Sequence, residues 1–111
     1  MKDKNAKLKL MPVKAGVALY PWCDRQEQLD APFLILIGAL DDWTPAERCR
    51  KFAHKNPTSG LELIVYPEAH HVFDLQQIDQ MQLGHVLRYH KAGADDAKEF
   101  VRNFLQKYLR E

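Results

Sequence analysis

The absences in this chain narrow it before its motifs do. No apolar run approaches the length needed to span a bilayer, so a soluble protein is expected. The opening Met1-Lys-Asp-Lys-Asn-Ala-Lys7 has no apolar segment of the kind a signal peptide needs, and a cytoplasmic location is expected. Neither sign of charge dominates: 16 Lys and Arg stand against 15 Asp and Glu, a net charge of +1. That balance gives no reason to expect a nucleic acid or an anionic membrane as partner. Cysteine is scarce, with Cys23 and Cys49 alone and no CxxC spacing for a metal. Two partly buried reduced thiols are the favoured state. A disulfide is the alternative, because neighbouring strands would bring both residues to one edge of a sheet.

What is present fits one α/β domain over residues 13–111, preceded by a flexible, lysine-rich tail at 1–12. The centre is Ala31-Pro-Phe-Leu-Ile-Leu-Ile-Gly-Ala-Leu-Asp-Asp-Trp-Thr-Pro45. Its apolar run at 33–37 is too short for an ordinary helix and reads as a strand buried on both faces. Similar runs at 15–20 and 61–66 predict two more strands, with a polar connection at 24–30. Thr44-Pro45-Ala-Glu47 has the form of a helix start, threonine as N-cap and proline at the first position, so a helix is predicted over 45–55. Cys49, Phe52 and Ala53 would face inward. A breaker cluster covers 56–60, and 75–89 gives only weak signals and is expected to be irregular. Ala97, Phe100, Val101, Phe104, Leu105 and Tyr108 form one apolar stripe on a predicted helix over 94–109. Strand–helix–strand order implies parallel pairing and a right-handed crossover, with helices on both faces in three α/β/α layers.

Functional groups of a parallel sheet collect beyond the carboxyl ends of its strands. There the second strand delivers Gly38, Asp41 and Asp42, and the third delivers Glu68-Ala-His-His-Val-Phe-Asp74. Taken alone, the aspartates read as turn-forming and capping residues, and His70 and His71 as loop histidines. The combination says more. Both strands should end at one edge, where a carboxylate can orient an imidazole and stabilise its protonated form. An imidazole so held serves as general base for an oxygen or sulfur nucleophile.

Gly38-x-x-Asp41-x-x-Thr-Pro45, followed by Tyr66-Pro-Glu-Ala-His-His71-Val-Phe-Asp, resembles the C-terminal part of a dienelactone hydrolase-type α/β-hydrolase. Ala15-Gly-Val-Ala-Leu-Tyr-Pro21 and Gly84-His-Val-Leu-Arg-Tyr89 extend the resemblance, which covers roughly 13–109. It implies a partial α/β-hydrolase fold, with Asp41 as triad acid and His71 as triad histidine. His70 would be a neighbour, and Asp42 and Trp43 loop shapers near the pocket. The implied chemistry is hydrolysis of a small ester or lactone without a cofactor. The family's glycine-x-serine-or-cysteine-x-glycine nucleophile elbow has no counterpart here. Ser59 lies in the turn before the third strand, at the opposite edge from Asp41 and His71, and neither cysteine has the elbow's setting. The chain is therefore expected to be a C-terminal half that is inactive alone. The other expectation is a non-catalytic fragment, either a homodimer paired through the exposed strand edge between Ala15 and Tyr20 or a complement to a separate N-terminal half. Metal binding by His70, His71 and an aspartate is a third, weaker expectation.

Overall fold

The structure, a computed structural model, describes residues 14–23, 31–55 and 60–109. The expected tail over 1–12, the connection at 24–30 and Ser59 lie outside the described residues.

Three strands form one parallel sheet in the order β1 (Gly16–Leu19), β2 (Phe33–Gly38), β3 (Leu61–Tyr66). Helix α1 (Ala46–Lys55) connects β2 to β3. The central strand is apolar throughout because both of its faces are covered. Leu34 and Leu36, both fully buried, point to one face and pack with Phe73, Ala97 and Phe104. Ile35 and Ile37 point to the other face and pack with Ala46 and Cys49 of α1. The last helix, α2 (Lys91–Leu109), supplies Ala97 and Phe104 from its predicted stripe. This is the expected α/β/α layering, and each buried Leu or Ile of β2 contributes about 1.5–3 kcal/mol.

Two sequence expectations differ from the structure. The stretch expected to be irregular contains an antiparallel hairpin, β4 (Asp79–Gln82) and β5 (His85–Arg88). All four residues of β4 are exposed, so it carries no apolar alternation that could have announced it. Its two-residue turn, Leu83 at φ 51° and Gly84 at φ 80°, has both central residues left-handed, which matches strand twist. Helix α2 also begins three residues earlier than the apolar stripe indicates. His90 caps it, with the Gly93 N–H donating to His90 Nδ1 at 3.0 Å, and histidine is not among the usual capping residues.

The cysteines are a further correction: they are not reduced thiols but form a Cys23–Cys49 disulfide, with Cα atoms 4.9 Å apart. Because β1 and β2 are parallel neighbours, the segment after β1 and the first turns of α1 meet at the same edge. The bond closes a loop with a sequence separation of 26. Reduction by a dithiol is expected to lower unfolding free energy by roughly 3–4 kcal/mol, the loop-entropy value for that length. Urea denaturation with and without reductant checks this, and an unchanged midpoint would mean that the bond adds no constraint.

Candidate active site

The carboxyl ends of the three parallel strands form one rim, and each delivers a side chain to the same point. Tyr20 ends β1, Asp41 follows β2 and His71 follows β3. The turns after β2 and β3 are locked to each other through the backbone. The Ala39 N–H donates to Tyr66 O at 2.9 Å, and the Leu40 N–H to Ala69 O at 3.0 Å. Gly38 makes this approach possible, because a Cβ there would overlap the Ala69 carbonyl. Phe73, fully buried against Tyr20 and Tyr66, anchors the far side of the histidine turn. Between the two anchors, Val72 sits at φ 53°, a strained conformation for a β-branched residue. The strain falls immediately after His71, whose carbonyl accepts the Arg88 N–H at 3.3 Å.

Asp41 and His71 are brought together. Asp41 Oδ2 lies 2.7 Å from His71 Nδ1, and the carboxylate is wholly buried beside a side chain only 15% exposed. Oδ1 accepts the backbone N–H groups of Trp43 at 2.9 Å and Thr44 at 2.7 Å. Asp41 therefore serves as turn former and histidine partner at once, so the two roles are not alternatives. An ionised carboxylate can only accept, so Nδ1 carries a proton toward Asp41, and Nε2 is the ring nitrogen left free of the carboxylate. His71, not His70, takes the carboxylate. The Thr44 hydroxyl faces inward to Tyr20 O, Asp41 and His71, in place of the capping role its sequence position indicates.

Around this pair stand Tyr20 and His85, to which sequence reasoning assigned no site role, together with Asp42 and Trp43, expected from the resemblance to shape the loop. The Tyr20 ring meets His71 edge-on, with centroids 4.8 Å apart, and its hydroxyl donates to Asp74 Oδ1 at 3.0 Å. Burial pushes the Tyr20 phenol above its ordinary 10.0; the bond to Asp74 and the negative charges of Asp74 and Asp41 add to the rise. The Tyr66 phenol is raised likewise by burial and by its bond to Asp96. Trp43 lies between two histidines, 5.4 Å from the His71 ring and stacked on His85 at 4.6 Å. Asp42 accepts the Val86 N–H at 3.3 Å and lies 3.5 Å from His85 Nδ1. The turn after β2 thus holds the β4–β5 hairpin beside the rim. The signal for this was a tryptophan next to paired acids, which does not by itself name a partner 40 residues away. Among the described residues no group of three or more His, Cys, Asp or Glu could hold a metal ion, and no helix is long and apolar enough to cross a membrane.

A parallel sheet covered on both faces, with a carboxylate–imidazole pair at its carboxyl rim, has the architecture of an α/β-hydrolase. The family model described as "Dienelactone hydrolase family" matches residues 5–109, and the chain belongs to that family. A crystal structure of a protein provisionally named dienelactone hydrolase, from Klebsiella pneumoniae subsp. pneumoniae, is similar in fold, with TM-score 0.63 and 24% identity. The match covers 88% of this chain and 42% of that one, so the chain spans less than half the length of that relative. No curated protein matches it.

Two outcomes follow from this geometry. Gly38→Ala is expected to cost roughly 3 kcal/mol, because the Ala69 backbone leaves the new methyl no room; thermal unfolding measures it, and a fully stable variant would mean the two turns can separate freely. In alkaline titration followed by phenolate absorbance, Tyr20 and Tyr66 are expected to ionise above the ordinary phenol value of 10.0. Since their folded values are raised, the stability they confer is complete below pH 10 and is lost as pH climbs from there. Tyr20→Phe should remove the late component assigned to that ring.

Proposed function

We propose that this chain carries the acid and the general base of an ester or lactone hydrolase, Asp41 and His71, and that the nucleophile comes from elsewhere. The observation that carries this is the 2.7 Å contact between buried Asp41 Oδ2 and His71 Nδ1, which leaves Nε2 as the basic nitrogen. In such chemistry the bare nitrogen takes the proton of a serine or cysteine as it attacks the carbonyl, then returns it to the leaving alcohol. Asp41 holds the ring and balances the charge that forms on it.

Among the described residues no hydroxyl or thiol is in place to be activated. There is no free cysteine. Thr44 Oγ1 lies 3.2 Å from His71, but on the Nδ1 side, the nitrogen already committed to Asp41. A hydroxyl there cannot give its proton to Nε2, so Thr44 is not a nucleophile in disguise.

A second observation bears on partners. β1 is an edge strand, paired only with β2 among the described residues, and Leu19 at its end lines a cleft of about 450 Å³ with Asp74, Ala97 and Val101. An open strand edge accepts further polypeptide, and the adjoining cleft has a mixed lining, with Asp74, Asp95 and Lys98 beside Leu19, Ala97 and Val101. We assign it to the remaining strands of the hydrolase fold, which would set the nucleophile against Nε2. A second copy pairing edge to edge, as a non-catalytic homodimer, is the alternative.

The test is hydrolysis of an aryl ester by the 111-residue chain, alone and with a polypeptide carrying the preceding strands and nucleophile of a dienelactone hydrolase. The chain alone is expected to be inert, and the pair active. His71→Ala should then lower kcat by roughly 10³-fold or more, as for other triad members. Activity that survives His71→Ala would remove the base assignment. Sedimentation of the isolated chain at twice its own mass, with no activity on mixing, would favour the homodimer.

A further inference from the structure

Thr44 touches the ends of all three parallel strands. Its Oγ1 lies 3.1 Å from Tyr20 O at the end of β1, 3.0 Å from Asp41 Oδ2 beyond β2, and 3.2 Å from His71 Nδ1 beyond β3. The residue is 9% exposed, so water does not substitute readily for any of these contacts. A hydroxyl brings one proton and two lone pairs. Tyr20 O and the Asp41 carboxylate can only accept, so the proton goes to one of them and an oxygen lone pair is left toward Nδ1. Two oxygens then face Nδ1, Asp41 Oδ2 at 2.7 Å and Thr44 Oγ1 at 3.2 Å. Such surroundings favour an N–H at that position and disfavour a bare nitrogen. Oδ1 is already held by two backbone N–H groups, and Thr44 is the side chain that stands beside both Oδ2 and Nδ1.

We infer that Thr44 is a positioning residue for the Asp41–His71 pair: its one proton goes to Oδ2 or to Tyr20 O, its oxygen faces Nδ1, and together these hold His71 with its proton on Nδ1 and its lone pair on Nε2. This rests on the acid–base roles proposed above and deepens them, but its test needs no turnover. A residue that only filled space or started α1 would be replaced without effect on the ring by valine, which has the same shape and no hydroxyl.

The measurement is nitrogen-15 NMR of histidine-labelled protein, with His71→Gln used to assign the ring. In the unmodified chain His71 is expected to show a protonated Nδ1, a bare Nε2 and a slowly exchanging low-field proton. In Thr44→Val the proton should exchange roughly five- to tenfold faster, the factor that one lost intramolecular hydrogen bond is worth, and the ring nitrogens should shift toward a mixture of tautomers. Thr44→Ser should restore both readings. If Thr44→Val does not fold, Thr44→Ala takes its place in the comparison. A hydroxyl-free variant whose His71 signals match the unmodified chain would overturn the inference. So would a serine variant that behaves like valine, since the hydroxyl would then not be the operative group. A bare Nδ1 in the unmodified chain would instead sink the acid–base roles themselves, which separates the two failures.

Discussion

The rim of this sheet is held together around one buried carboxylate. The Asp41 side chain has no solvent exposure, yet its oxygens lie within hydrogen-bond reach of two backbone amides, an imidazole and a hydroxyl. An ionised group taken out of water is expensive unless its acceptors are filled, and here they are filled from the turn itself and from the neighbouring strands. The same contacts that make burial tolerable fix the direction of the carboxylate. Through it they fix His71, which reaches the rim on a separate turn. Stability and chemistry therefore draw on one set of hydrogen bonds, and a change that loosens the turn also misaims the imidazole.

Around that centre the supports are redundant. Gly38 lets the two turns close on each other, Phe73 anchors the histidine turn in the core, and the disulfide ties the segment after β1 to α1. Asp42 and Trp43 add the hairpin on the outer side. Such bracing explains how Val72 can be kept in a left-handed conformation directly after His71. Backbone strain persists only where its surroundings over-determine it. On the proposed hydrolase reading, half of a catalytic apparatus is built to its working geometry within a chain that spans 42% of a related structure.

Legibility differed from element to element for identifiable reasons. β2 was readable because a strand buried on both faces must be apolar at every position, and the half-buried β1 and β3 because their short apolar runs are interrupted only at Glu62. The stripe from Ala97 to Tyr108 was readable because a helix covering one face repeats its apolar residues every three or four positions. The hairpin left no trace, since β4 is exposed at all four positions and its stability comes from pairing with β5 and docking by Asp42. His90 was not seen as a helix cap because its role depends on a ring nitrogen turned back onto Gly93, which composition does not reveal.

For the site, the residue types and their order were enough to nominate Asp41 and His71: parallel strands share a direction, so whatever follows each of them arrives at one rim. Which of two adjacent histidines meets the acid was suggested by resemblance and is decided in space by the turn that seats Phe73 and points His71 inward. The roles of Thr44 and Tyr20 came only from the tertiary structure, which also decided the cysteine pairing that the sequence had offered as the less favoured alternative. Each of these contacts joins residues on different strands or turns, and a linear pattern records spacing along the chain but not the distance between strand ends.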